Sequence, residues 1–165
     1  MENMGGGIGL IDPVAIAEAD PQSPDALELL RLAAVEARAL YPELQVPGDI
    51  WPTNDPTPPR GIYLIARADG IVVGMGAHRP LDAVISEVRR MYVHPNFRRL
   101  GVAQAVLAKL ESYALSQGFT HLRLETGNRQ AAAMALYALC GYEQIAPFGI
   151  YVDDPTSVCF EKSLG

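Results

Sequence analysis

The chain has 165 residues, of which 49% are hydrophobic and 19% are charged, and its formal net charge is −6. This length suits one domain with a hydrophobic core, and the composition excludes an intrinsically disordered chain. The acidic balance argues against nucleic acid or an anionic membrane as the main partner, whereas a cationic substrate such as an amine would not be repelled.

Two further properties indicate a cytoplasmic location. No apolar run approaches the roughly 20 residues of a membrane-spanning helix, and the N-terminus lacks the basic and apolar regions of a signal peptide. The two cysteines, Cys140 and Cys159, lie in apolar surroundings without the spacing of a zinc site. We therefore expect buried thiols in a reducing compartment and no bound metal.

Hydrophobic periodicity and turn residues predict the element order β-α-β-β-β-α-β-α-β-β. Ser23-Pro24 is typical of a helix N-terminus, Asp69-Gly70 of a hairpin turn, and Gly118 of a helix C-cap. This order indicates a mixed α/β sandwich, and residues 1–165 read as a single domain. The predicted elements are an edge strand within 10–19, a helix from Pro24 to about Tyr41, a hairpin of 61–67 and 71–78, a strand over 83–93, a helix from Val102, a strand over 119–125, a helix over 130–139, and an antiparallel pair of 142–145 with 157–162.

The stretch from Pro42 to Arg60 separates the first predicted helix from the hairpin and contains six of the thirteen prolines. A connection of this length in a compact domain is typically functional or mobile. Its Trp51 either holds the loop down as a hydrophobic plug or forms part of a substrate wall, and the sequence leaves both interpretations open.

The segment Arg98–Ala103 joins a predicted strand, which ends at Met91–Val93, to the helix that begins at Val102. Backbone amides at a helix N-terminus are unpaired and favour an anion. Gly101 lets the backbone approach a ligand closely, and two adjacent arginines add donors suited to phosphate oxygens. The pattern predicts a pyrophosphate site; the alternative is an ordinary strand-to-helix connection with solvated arginines.

Two ordered motifs resemble signatures of one protein family. Arg98-x-x-Gly101-x-Ala103 resembles the acetyl-coenzyme A signature (Gln/Arg)-x-x-Gly-x-(Gly/Ala) of the GNAT family of N-acetyltransferases. Downstream, Leu136-Tyr137 followed by Gly141-Tyr142 resembles the end of that family's closing helix, Leu-Tyr-x-x-x-Gly-(Phe/Tyr). The resemblance is strong over residues 83–145.

The resemblance implies an α+β, single-domain fold in which a mixed, mostly antiparallel sheet is flanked by helices. It also implies an enzyme that moves an acetyl group from the thioester of acetyl-coenzyme A, as co-substrate, to a primary amine of a small molecule or peptide. A homodimer is common among similar proteins, but the sequence leaves the oligomeric state and the acceptor open. The rival function is a module that binds and senses acyl-coenzyme A without turning it over.

The resemblance places the cofactor along the end of the strand and the turn. Backbone groups of the strand would pair with the pantetheine arm, and the Val93 N–H would stabilise the developing oxyanion. Two positions depart from the family pattern: Arg99 stands where glycine is common, and Gln130 where an asparagine often contacts the cofactor. The residues implied in cofactor binding are Met91, Tyr92, Val93, Arg98, Arg99, Leu100, Gly101, Val102, Ala103 and Gln130.

Glu87 is the leading candidate for the base that removes a proton from an alkylammonium of pKa about 10.4. It lies on the strand that leads to Val93, where many family members carry an acidic residue. Strand alternation gives Glu87 the same face as Arg89, Met91 and Val93. The structural alternative for Glu87 is an ion pair with Arg89 or Arg90.

Glu125, at the end of the next predicted strand, is the rival base, with a structural or substrate-binding role as its alternative. Tyr137 is the candidate general acid, because the resemblance places its hydroxyl near the cofactor sulphur. There, hydrogen bonding to the thiolate matters more than full proton transfer. The alternative for Tyr137 is a core aromatic. The histidines are scattered, and none of them is assigned to catalysis or to a metal: His78, His94 and His121.

Overall fold

The computed structural model describes residues 14–44, 47–48 and 50–165. The predicted order of elements is confirmed, with small differences at their ends, and the predicted residues 10–13 of the first strand lie outside the described residues. The elements are β1 (Val14–Glu18), α1 (Pro24–Leu40), β2 (Ile62–Ala68), β3 (Ile71–Pro80), β4 (Ile85–Val93), α2 (Val102–Ser116), β5 (His121–Gly127), α3 (Ala131–Leu139), β6 (Glu143–Ile145) and β7 (Ser157–Ser163).

The strands form one sheet in the order β1-β2-β3-β4-β5-β7-β6. β4 and β5 run parallel, with Ile85–Glu87 opposite His121–Arg123, whereas β7 pairs antiparallel with β5 on one side and with β6 on the other. β1 pairs antiparallel with β2. The molecule therefore has the mixed, mostly antiparallel α+β architecture that the resemblance implied.

The helix cap, hairpin turn and helix C-cap that the sequence predicted are present in the structure. Ser23 Oγ accepts a hydrogen bond from the Ala26 amide at the start of α1, with Pro24 in the first helical turn. Asp69 (φ 50°) and Gly70 (φ 79°) both have left-handed backbones, which suits a two-residue hairpin between β2 and β3. Gly118 ends α2 with a φ of 89°.

The chain forms two compact units. The first comprises the described residues up to Thr57 together with 63–76 and 90–109, and the second comprises 58–62, 77–89 and 110–165. Apolar side chains from strands and helices form the core of each. Buried members in the first unit are Leu29, Leu64, Ile65, Val73, Met75, Val106 and Leu107, and in the second they are Leu110, Phe119, Leu122, Leu124, Cys159 and Phe160.

The proline-rich loop is anchored near its centre by Asn54, which is buried. The Asn54 side-chain amide donates to the Pro21 carbonyl at 2.8 Å, and its backbone carbonyl accepts from Gln22 Nε2 at 2.9 Å. Trp51 lies beneath the Arg38 guanidinium, 4.1 Å from the ring centroid. Trp51 also lines an apolar pocket of about 550 Å³.

Three further observations concern the expectations about compartment and metal. The expected burial of the thiols is confirmed for Cys159 but is wrong for Cys140, which is only half-buried, and neither forms a disulfide. Among the described residues, no helix has both the length and the hydropathy needed to cross a membrane. Across the same part of the chain, no cluster of three or more His, Cys, Asp or Glu side chains could hold a metal ion.

Candidate active site

The turn between β4 and α2, in the first unit, has the backbone geometry of an anion site. Arg99 and Gly101 both have left-handed conformations, with φ of 64° and 86°. The Ala105 amide donates to the Gly101 carbonyl at 3.0 Å, so the helix begins directly after the turn. The first amides of α2 have no earlier helical carbonyl to pair with, and unpaired amides at a helix N-terminus favour an anion.

The two arginines of this turn have different environments. Arg98 Nε donates to the Val93 carbonyl at 2.9 Å, and its Nη2 lies 2.8 Å and 2.9 Å from the two oxygens of Glu36 on α1. The Arg98 charge is therefore largely balanced, and its side chain ties the turn to β4 and α1. Arg99 is exposed, and no carboxylate among the described residues pairs with it. Arg99 is thus the arginine that can offer its charge to a ligand.

Glu36 also holds the end of β4. It accepts a hydrogen bond of 2.7 Å from the Tyr92 hydroxyl, and burial together with this bond raises the pKa of Tyr92 to about 12. Sequence reasoning missed Glu36, because it lies 62 positions from Arg98 and carries no motif of its own. The Tyr92–Glu36–Arg98 cluster fixes the strand end on which the predicted backbone contacts depend.

Gly74 on β3 allows a close approach to the start of α2. A Cβ added at this position would lie 3.1 Å from Val102 Cγ1 and 3.2 Å from the Tyr92 carbonyl oxygen. Both distances are shorter than ordinary van der Waals contact, so a side chain here would displace the helix start or the strand. Gly74 is a second position that sequence reasoning did not single out.

β4 is not a regular strand. Arg90 has a φ of 62° in its middle, which is typical of a bulge and interrupts the alternation of side chains. The expectation that Glu87 and Arg89 share one face with Met91 and Val93 therefore fails, because simple alternation does not carry across Arg90. The Arg90 guanidinium donates to Asn54 Oδ1 at 2.9 Å, which links the bulge to the proline-rich loop.

Glu87 lies in the second unit, and only 2% of its surface is exposed. Its Oε2 accepts a hydrogen bond of 2.7 Å from the Tyr151 hydroxyl, and its Oε1 is 3.6 Å from Arg79 Nε. The structural alternative for Glu87, an ion pair with Arg89 or Arg90, differs from what the structure shows, because the arginine that pairs with Glu87 is Arg79 on the neighbouring strand. Tyr151 was not identified from the sequence.

Glu125 lies on β5, which pairs in parallel with β4, the strand that carries Glu87. It accepts a hydrogen bond of 2.7 Å from Ser157 Oγ on β7. Burial raises the pKa of Glu125, and the negative charges of Asp154 and Glu87 raise it further. The two candidate bases therefore lie on neighbouring strands, where the Glu87 charge acts on Glu125, and Glu87 is the more deeply buried of the two.

Tyr137 on α3 belongs to the second unit and is 6% exposed. Its ring packs against the rings of Tyr142 and Phe160, with centroids 6.0 Å and 6.1 Å away. No described residue forms a hydrogen bond with its hydroxyl, so this group retains its capacity for a ligand atom. Burial raises the pKa of Tyr137, and nearby Cys140 and Glu125 add to the effect. Gln130 is exposed at the N-terminus of α3 and makes no capping bond.

Comparison with known proteins shows the family of this chain. A model of the Acetyltransferase (GNAT) family matches residues 26–142. An IAA acetyltransferase of Azospirillum brasilense is 40% identical over 103 residues, which are 62% of this chain and 67% of that relative. A solved Klebsiella pneumoniae protein described as an acyl-CoA N-acyltransferase has a TM-score of 0.76 and 33% identity, over 93% of this chain and 99% of its own.

A GNAT acetyltransferase of Elizabethkingia anophelis, solved with acetyl-CoA bound, covers 92% of this chain and 99% of its own with a TM-score of 0.67. At 17% identity it shows a shared fold only. The family model, in contrast, spans more than half of this chain. The chain therefore belongs to the acetyltransferase (GNAT) family and is an N-acetyltransferase enzyme.

Proposed function

We propose that this enzyme acetylates a primary amine of a small molecule or peptide. The observation that carries the proposal is the pair of carboxylates, Glu87 and Glu125, which lie together in the second unit. An alkylammonium group of pKa about 10.4 must lose a proton before it can attack a thioester, and a carboxylate can accept that proton. The net charge of −6 also suits a cationic acceptor.

In this proposal the turn before α2 binds the pyrophosphate of acetyl-coenzyme A. The first amides of α2 and the Arg99 guanidinium supply donors, while Arg98 fixes the turn through Val93 and Glu36. The backbone of Met91–Val93 pairs with the pantetheine arm, and the Val93 N–H stabilises the oxyanion. The remaining assigned contacts come from Leu100, Gly101, Val102, Ala103 and Gln130.

Glu87 is the proposed base, with Glu125 as the alternative, and Tyr137 is the proposed acid. The raised pKa of Tyr137 keeps its hydroxyl protonated at neutral pH. A raised pKa also makes complete transfer of that proton to a thiolate less favourable, so hydrogen bonding to the sulphur is its main contribution. We further propose that residues 1–165 act as one N-acetyltransferase domain in the cytoplasm.

The test is release of free thiol from acetyl-coenzyme A in the presence of a panel of amines and peptides. Glu87→Gln should lower kcat/KM by about 100-fold or more, because the base is lost. Tyr137→Phe should lower kcat while calorimetry still shows cofactor binding, and Tyr113→Phe on α2 serves as the control for loss of a hydroxyl.

If Glu125→Gln abolishes activity and Glu87→Gln does not, the base is Glu125. Tight cofactor binding without turnover of any acceptor would contradict the proposal in favour of an acyl-coenzyme A sensor.

A further inference from the structure

The Glu87 carboxylate is buried too deeply to meet an acceptor amine directly. Only 2% of its surface is exposed, and the described side chains that contact its oxygens are those of Arg79 and Tyr151. Arg79 cannot pass a proton, because a guanidinium has no lone pair to accept one and does not lose its own. A phenol can both accept and donate, and the Tyr151 side chain is half-exposed.

We infer that Tyr151 relays a proton from the acceptor amine to Glu87. This inference rests on the proposed function, in which Glu87 is the base. The N–H bond of the ammonium breaks and its proton bonds to the Tyr151 oxygen, while the Tyr151 O–H bond breaks and that proton bonds to Glu87 Oε2. The ammonium becomes a neutral amine, the carboxylate becomes a carboxylic acid, and Tyr151 is neutral before and after the step.

The geometry of the Tyr151–Glu87 contact suits such a transfer. The two oxygens are 2.7 Å apart, which is typical of a strong hydrogen bond to a carboxylate. Burial and the Glu87 charge raise the pKa of Tyr151, so the hydroxyl does not ionise on its own and passes its proton to Glu87 only as it accepts the proton of the ammonium. Arg89 and Glu125 also act on Tyr151, with opposite signs. The other Glu87 oxygen, Oε1, contacts Arg79.

The segment between β6 and β7 holds Tyr151 in place. Tyr151 ends a short helical turn, Gly149–Tyr151, and the Phe148 ring meets it edge to face with centroids 5.4 Å apart. The Arg123 guanidinium lies 5.4 Å from the Phe148 centroid and forms a 2.7 Å ion pair with Glu161. Arg123 on β5 and Glu161 on β7 therefore support the Phe148 ring, and Phe148 in turn positions the Tyr151 side chain. An exposed loop alone would not hold the Tyr151 hydroxyl in place.

The test compares Tyr151→Phe with the wild type over a range of pH, using an amine acceptor from the panel. At neutral pH we expect kcat/KM to fall by about 100-fold, as for loss of a general base. The loss should shrink as the pH approaches the pKa of the amine, near 10.4, because an acceptor that is already neutral needs no relay. A structural defect would not be rescued by high pH. A loss that stays constant with pH, or no loss at all, would overturn the relay.

Two further variants separate the relay from the proposed base. In a Glu87→Gln background, Tyr151→Phe should change kcat/KM by less than about 3-fold, because both residues act in one step. Tyr142→Phe is the matched control, since it removes a tyrosine hydroxyl that donates to another glutamate, Glu111, at 2.8 Å. It should leave the pH profile unchanged. If Glu87→Gln lowers activity and Tyr151→Phe does not, the relay is wrong while Glu87 remains the proposed base. If neither variant lowers activity, the assignment of Glu87 as the base is wrong.

Discussion

Single residues with left-handed backbones mark the turns and the bulge of this chain. Among the described residues, the non-glycine positions of this kind are Arg60, Asp69, Arg90 and Arg99. Such conformations cost an L residue roughly 1–2 kcal/mol and persist only where the surroundings hold them. In the family pattern, glycine is common at the position of Arg99. The φ of 64° at Arg99 explains this preference, because glycine adopts a left-handed backbone without steric cost.

This strain gives a prediction for the turn. Arg99→Gly should be more stable to denaturation by urea than Arg99→Ala by about 1 kcal/mol, because only glycine adopts this backbone freely. Both variants lack the guanidinium, so the comparison isolates the backbone. If the Arg99 charge binds phosphate, both should also raise the KM for acetyl-coenzyme A equally. An Arg99→Ala protein as stable as Arg99→Gly would show that the turn is not strained.

Residue spacing in the sequence explains which parts of the site could be predicted. The turn and the Asp69-Gly70 hairpin have signals within a few consecutive residues, so their local structure was predictable. Tyr151 and Glu87 are 64 positions apart, and Arg90 is 36 positions from Asn54. No local pattern records such partners, which meet only when the sheet forms. The bulge at Arg90 was missed for the same reason, since periodicity assumes a regular strand.

At the scale of elements, the C-terminus of α2 shows how a distant side chain completes a helix end. Gly118 provides the left-handed cap that the sequence predicted. The Gln117 carbonyl, at the end of the helix, accepts hydrogen bonds from Arg60 Nε and Nη2 at 3.2 Å and 2.8 Å, and Nη2 also donates to the Ala83 carbonyl. The same guanidinium lies 4.0 Å from the Phe119 ring centroid. A cation at a helix C-terminus is favoured by the helix dipole.

We expect Arg60→Ala to lower the free energy of unfolding by about 2 kcal/mol, the size typical of part-buried hydrogen bonds to a charged group. Alanine retains the left-handed backbone at residue 60, so the change reports the side chain. Arg60→Lys keeps the charge but loses the planar fork, and should lie between wild type and Arg60→Ala. Urea denaturation measures all three. Equal stability of the lysine variant and the wild type would show that charge alone stabilises the helix end.

For the whole molecule, the buried histidine His78 links stability to pH. Only 2% of its surface is exposed, and its ring packs against the rings of Tyr113 and Phe119, with centroids 5.7 Å and 5.9 Å away. Its Nδ1 is 2.8 Å from Ser86 Oγ, whereas its Nε2 has no hydrogen-bond partner among the described residues. Burial therefore lowers the pKa of His78 from 6.5 to about 4.

Because this pKa is lower in the folded state than in the unfolded state, neutral His78 supports folding fully above pH 6.5. As the pH falls from 6.5 towards 4, His78 binds a proton in the unfolded state but not in the folded state. The free energy of unfolding therefore decreases by about 3 kcal/mol over this range. Replacing the histidine with His78→Asn, whose amide can still pair with Ser86, should remove this part of the pH dependence, whatever its effect at neutral pH. Denaturation by urea from pH 4 to pH 7.5 tests this, with the part-exposed His121→Asn as control. Parallel curves for wild type and His78→Asn would show that His78 is not the group that titrates.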